Sequence, residues 1–113
     1  MNLPKWELAD RASILLVKRD KGLPVEEKYL NKCLDEVWAV VPSKLFDNLY
    51  AVNKAMFEME EVISRVFDFR DFEMAGHLYY VLRGLTHKRT AAKHAISEFL
   101  KEGKEIKKYG NGY

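Results

Sequence analysis

The sequence contains a single cysteine, Cys33, and no glutamine at all. One thiol can form neither an intramolecular disulfide nor a cysteine-based zinc site. Cys33 shares a predicted helix face with Leu30, Leu34 and Val37, which favours a small buried hydrophobe over a reactive thiol. Lysine and glutamate together number 24, while glutamine is absent. Enrichment in lysine and glutamate with little glutamine is a bias reported for hyperthermophile proteins. The composition therefore predicts a thermophilic source.

Long apolar runs are also missing. Runs such as residues 14–17 and 37–41 are far shorter than the roughly 20 residues that a membrane-spanning helix needs. The first residues lack the charged region and apolar core of a secretory signal. We therefore expect a soluble, cytoplasmic protein without a membrane contact.

The length and the charge distribution suggest one domain with a basic end. With 113 residues, 48% of them hydrophobic, the chain fits a single helical domain over 1–113. Residues 83–113 hold eight basic and three acidic side chains, which gives +5, and the net charge of +2 leaves −3 for residues 1–82. This end could contact nucleic-acid phosphates, cover the acidic stretch 58–73 of its own or a second chain, or be a solvated face.

The longest periodic pattern covers residues 43–67. Its apolar residues recur at alternating steps of four and three, which is the spacing of one helix face. They are Leu45, Leu49, Val52, Met56, Met59, Ile63 and Val66. A second row beside them, which includes Phe46 and Phe57, widens this face enough to contact at least two neighbouring helices. We therefore expect an all-α fold, a compact bundle of four to five helices organised around this central helix.

Glycine, proline and polar residues predict where the helices begin and end. Gly22 ends the first helix, Pro42 ends the second, and Ser43 is well placed to cap the central one. The carboxylates of Asp68 and Asp71 can cap the helix that follows.

The last third of the chain leaves the helix count open. An apolar stripe from Phe72 continues in register beyond Gly84, so one bent helix is possible, but we favour two helices with Thr86 as a cap. Residues 107–113 are basic and glycine-containing, and we expect them to be frayed.

Two polar residues interrupt the apolar face of the central helix. Asn53 and Glu60 lie two turns apart on its flank, beside Phe46 and Phe57. A half-buried carboxylate needs a partner, so these residues mark a polar position between helices or between subunits.

Four acidic residues resemble a known metal-binding pattern. Glu58 and Glu61, followed by Asp68 and Asp71, resemble the paired acidic motifs of all-α nucleoside triphosphate pyrophosphohydrolases of the MazG type. The resemblance implies that these carboxylates hold a magnesium ion that binds phosphate oxygens. Glu58 and Glu61 also project away from the apolar face, and each has a basic residue four positions away with which it can pair at the surface.

A second pattern concerns Arg89 and His94, which have four residues between them. This spacing resembles that of the HEPN family, small helical bundles that often act as ribonucleases, and residues 75–80 are similar to that family's small-and-aromatic helix. The resemblance implies that the pair binds and polarises a scissile phosphate while the histidine moves a proton. Residues five apart on one helix diverge by about 140°, so a common site requires a helix start between them or a second subunit. An interface arginine and a surface histidine remain the alternative.

The aromatic residues near the predicted start of the fourth helix indicate an interface. Phe69, Phe72, Tyr79 and Tyr80 are more than one small core can hold, so we expect a homodimer or a larger homo-oligomer. We predict an interaction or regulatory protein without catalytic activity, metal or cofactor. The alternatives are a HEPN-like ribonuclease or RNA-binding protein and a magnesium-dependent nucleotide pyrophosphohydrolase.

Overall fold

Four α-helices make up the computed structural model, which describes residues 2–101. They are α1 (Lys5–Asp20), α2 (Glu27–Trp38), α3 (Ser43–Asp68) and α4 (Phe72–Leu100). No strand occurs in this part of the chain. The predicted all-α bundle around a long central helix is confirmed, with four helices. The expected fraying at 107–113 lies outside the described residues, as does most of the basic end beyond α4.

The end of α1 follows from Gly22. This glycine adopts a φ of 79°, a left-handed conformation that only glycine enters without steric cost. Its N–H donates to the carbonyl of Arg19 at 2.9 Å, and the N–H of Leu23 donates to that of Lys18 at 2.9 Å. These two bonds satisfy the last carbonyls of the helix, as the sequence predicted for this position.

Of the side-chain caps predicted for the starts of α3 and α4, one is confirmed and one is wrong. The Asp71 carboxylate accepts a hydrogen bond from the N–H of Met74 at 3.1 Å and caps α4. Ser43 is instead the first residue of α3, Pro42 occupies the cap position, and no side chain caps this helix. Proline is favoured next to a helix start because its fixed φ suits the chain entry there.

We expect Asp71→Ala to lower the free energy of unfolding by about 1 kcal/mol, because it leaves a helix N–H without its acceptor. Ser43→Ala removes no capping bond and should change stability by less than about 0.5 kcal/mol. Urea denaturation followed by circular dichroism measures both variants. Equal losses from the two substitutions would contradict this assignment of the caps.

The predicted break near Thr86 is wrong, because α4 is one helix of 29 residues. The Thr86 hydroxyl donates to the carbonyl of Leu82 at 3.1 Å, a bond within the helix rather than a cap. A glycine in a helix interior costs only about 1 kcal/mol. The apolar stripe that continues to Ile96, which is fully buried, outweighs this cost.

The core lies at one end of the molecule. The four largest fully buried side chains, one from each helix, are Leu8, Leu30, Leu49 and Ile96. They pack where α1 lies on the first half of α3 and the last part of α4, with α2 packed on α1. We call this end the base.

The other end is an extension of two helices. Residues 57–86 form an antiparallel pair, the second half of α3 and the first half of α4, which we call the distal hairpin. Only Ile63 and Ala75 are buried within it. The turn at its tip places Arg70 at a φ of 60°. The distal hairpin therefore presents far more of its surface to solvent than the base does.

Candidate functional site

A buried polar cluster joins three helices at the base. The Asp10 carboxylate of α1 accepts bonds from Arg89 Nε at 3.2 Å and from Arg89 Nη2 at 2.5 Å. Asn53 Nδ2 of α3 donates to Asp10 Oδ1 at 3.1 Å and to Ser13 Oγ at 2.6 Å. The Ser13 hydroxyl donates to the carbonyl of Asp10 at 2.8 Å. Every member is thus hydrogen-bonded, as buried polar groups require.

The electrostatics of this cluster favour a structural role. The side chain of Asp10 is 10% exposed and that of Arg89 is 28% exposed. The two-pronged contact balances the buried charge and holds α4 in one register against α1. Asn53, predicted with Glu60 to mark a polar position between helices or between subunits, does bond across the contact of α3 with α1. Glu60, which the sequence places half-buried on the same flank, is instead exposed.

Lys93 lies one turn beyond Arg89 on α4. Its ammonium is 5.6 Å from the centre of the Trp6 ring, a cation–π contact with α1. Burial lowers the pKa of Lys93 below its usual value, and the nearby Asp10 carboxylate opposes this effect. Two cations of α4 therefore face α1.

His94, the second residue of the predicted catalytic pair, has different surroundings from Arg89. It is exposed, and its Nε2 lies 3.4 Å from Glu98 Oε1, one turn further along α4. Arg89 points instead to the buried Asp10 carboxylate. Within one chain, the two side chains have no partner in common among the described residues.

The four predicted metal ligands do not converge on one site. Lys21 Nζ lies 2.8 Å from Glu58 and 3.6 Å from Glu61. The hydrogen bond from Lys21 holds the pKa of Glu58 below its usual value. Asp71 caps α4, and Asp68 lines the groove described below. In residues 2–101, no three acidic, histidine or cysteine side chains form a metal-binding group.

Exposed apolar side chains concentrate on the distal hairpin. Of the eleven large hydrophobic residues that are exposed among residues 2–101, seven lie between 67 and 81. They are Phe67, Phe69, Phe72, Met74, Tyr79, Tyr80 and Val81. All four residues predicted at an interface belong to this set. Phe69 is 84% exposed and Tyr80 77% exposed.

Some of these aromatic residues form a cluster on one side of the distal hairpin. The ring of Phe67 lies 5.6 Å from that of Phe72 and 6.2 Å from that of Tyr79, measured between centroids. The cluster borders an open groove of about 440 Å³ between α3 and α4, whose floor includes Ile63 and Leu82. An adjoining depression of about 470 Å³ extends along α4 to Thr86 and His87.

This groove is continuous with the surface that α1 covers at the base. On α3, Asn53 contacts α1, and Glu60 and Phe67, at further steps of seven residues, line the groove. On α4, Leu82 lines the groove, and Arg89, seven residues later, contacts α1. Residues seven apart share one helix face. The groove is therefore the open continuation of a helix-packing surface.

The charges at the edges of the groove have opposite signs. Glu60 and Asp68 of α3 line one edge. Arg83 and His87 of α4 line the adjoining depression. A helix lying here would meet acidic groups on one side and basic groups on the other.

Comparisons with protein-family models, with curated proteins and with solved structures found no match to this chain. No helix within residues 2–101 is both long and apolar enough to cross a membrane.

Proposed function

We propose that this protein is a non-catalytic interaction or regulatory module that binds another protein chain through its distal hairpin. The observation that carries this proposal is the aromatic surface of the hairpin. Five aromatic side chains, each 42–84% exposed, leave on the order of 600 Å² of apolar surface in water. They are Phe67, Phe69, Phe72, Tyr79 and Tyr80. Phe67, Phe72 and Tyr79 form a contiguous part of this surface, and exposed apolar patches of such size typically mark contacts with partners.

The polar groups support the same proposal. The guanidinium of Arg89 is engaged by a buried carboxylate, which favours a structural role over binding a phosphate. The carboxylates of Glu58 and Glu61 are paired with Lys21 at the surface, which favours ion pairing over magnesium binding.

A photo-cross-linking experiment tests this function. The variant Tyr80→p-benzoylphenylalanine carries the cross-linker on the distal hairpin, and the matched variant Trp38→p-benzoylphenylalanine carries it on an exposed aromatic position of the base. Each protein is irradiated in purified form and in a lysate of the source cells. We expect one dominant adduct from position 80 and little from position 38.

The adducts are identified by mass spectrometry. An adduct that forms equally from both positions, or no adduct from position 80 in either preparation, would contradict the proposal. An adduct of position 80 with a different protein supports the proposal and names the partner.

A further inference from the structure

A seam of four residues runs along the exposed side of α4 in the distal hairpin. Phe72, Gly76, Tyr79 and Arg83 recur at steps of four, three and four, which is the spacing of a helix–helix contact. All four are exposed. Phe72 and Tyr79 both pack on the ring of Phe67, which fixes the orientation of this apolar surface.

Gly76, at the centre of the seam, has no role in the packing of its own chain. A Cβ atom added here would meet no atom within 4 Å, and its φ is not in the left-handed region. Glycine in a helix interior costs about 1 kcal/mol relative to alanine. A second helix that approaches the backbone closely at this point would explain why a side chain is absent.

We propose that a second copy of this chain supplies that helix, and that the two distal hairpins pack antiparallel about a twofold axis beside Gly76. This inference rests on the proposed function and names the partner. In an antiparallel pair, residues at equal distances from the axis meet, so with the axis between Ala75 and Gly76, Phe72 packs against the partner's Tyr79. The symmetry repeats this aromatic contact on the other side of the axis.

The charges favour the same antiparallel arrangement. Arg83 lies four residues beyond Tyr79 and meets the tip of the other hairpin, where the partner's Asp68 and the partner's Asp71 are exposed. The tip also approaches the end of α1, whose last turn carries Lys18 and Arg19. Each acidic tip therefore meets basic side chains of the other chain.

The helices at the base disfavour a parallel arrangement. Helix α1 covers the α3–α4 surface at the base, as its bonds to Asn53 and Arg89 show. If the two hairpins packed parallel, both α1 helices would lie between the two α3–α4 surfaces and would collide. An antiparallel pair instead places each α1 beyond the other chain's tip, which avoids this collision.

The available area is sufficient for a dimer. The five exposed aromatic residues supply on the order of 600 Å². A stable interface buries about 800 Å² on each partner. The sides of the groove and the charged residues at its edges make up the difference.

Two matched variants test the proposal. Gly76→Arg adds a long side chain in the seam, and Gly84→Arg adds the same side chain two turns further along and about 80° around the helix from it. Neither added Cβ meets an atom within 4 Å of its own chain, so both variants should fold. We expect light scattering to give twice 13.2 kDa for the wild type and for Gly84→Arg. Gly76→Arg should raise the dimer dissociation constant by at least about 100-fold.

A mixing experiment tests the antiparallel register. Phe72→Lys and Tyr79→Glu should each weaken the homodimer, because each removes an aromatic ring from the interface and buries a charge there without an opposite charge. A mixture of the two variants should restore dimers, since the introduced lysine then meets the introduced glutamate. A parallel pair would align position 72 with position 72 of the other chain, so the mixture would form no lysine–glutamate pair and would not regain the wild-type affinity.

Three results would overturn the proposal: a monomeric wild type at millimolar concentration, equal dimerisation of the two arginine variants, or a mixture that stays monomeric. These results are distinct from failure of the proposed function. A monomeric wild type that still cross-links from position 80 to another protein retains the interaction function and excludes the second copy as its partner.

Discussion

Arg89→Met should lower the free energy of unfolding by about 3 kcal/mol, because it leaves the charge of Asp10 buried without its partner. The carboxylate would keep only its bond from Asn53, at 3.1 Å. Loss of a buried partner is among the most destabilising changes that a single substitution makes. Urea denaturation followed by circular dichroism measures the effect.

Two controls separate the ion pair from other effects. Arg65→Met removes an exposed arginine of α3 and should change stability by less than about 1 kcal/mol. The double variant Asp10→Leu with Arg89→Met removes both charges and should recover most of the loss. A double variant as unstable as Arg89→Met would mean that lost packing, and not the unpaired charge, causes the effect.

The variant Arg89→Met also distinguishes the proposed function from the ribonuclease alternative. Under the proposed non-catalytic function, Arg89→Met changes stability and the wild type shows no RNA cleavage that could be lost. If the wild type cleaves RNA and Arg89→Met abolishes cleavage without lowering the free energy of unfolding, Arg89 acts on the phosphate. A gel assay with a labelled single-stranded RNA provides this readout.

The second large effect concerns the core of the base. Leu30→Ala should lower the free energy of unfolding by about 3 kcal/mol, because the fully buried side chain leaves a cavity between α2 and the other helices. Leu23→Ala is the matched control, since it deletes the same atoms from a side chain that is 43% exposed. We expect the control to lose less than about 1 kcal/mol.

Thermal and urea denaturation measure both leucine variants. A loss from Leu23→Ala as large as that from Leu30→Ala would place the core elsewhere than in the base. Such a result would also weaken the distinction between a packed base and an exposed distal hairpin.

The helices were predictable from local patterns, because apolar spacing and capping residues act over a few neighbouring positions. The central helix and the Asp71 cap followed from such signals. The continuity of α4 through Thr86 did not follow from local signals, because packing of the far end of α4 on α1 outweighs the local preference for a break. Pro42 occupies the position predicted for Ser43, because the fixed φ of proline suits a helix start and α3 begins one residue earlier than a Ser43 cap requires.

The buried cluster was only partly predictable. Asn53 and Arg89 were recognised as unusual positions, but Asp10 and Ser13 were not. A signal was present, since Trp6, Asp10 and Ser13 recur at steps of four and three and share one helix face. That Asp10 meets Arg89, 79 residues away, depends on the tertiary arrangement of three helices.

The unbroken α4 has a mechanical consequence. A helix of 29 residues is about 43 Å long, and bending it sharply would break its own hydrogen bonds. A break at Thr86 would have provided a hinge between the base and the distal hairpin. Without such a hinge, the orientation of the aromatic surface is set by the packing of α3 and α4 on α1, to which the ion pair of Arg89 with Asp10 contributes. Anything bound at the tip is therefore held at one angle to the base, and a force applied there acts on these contacts.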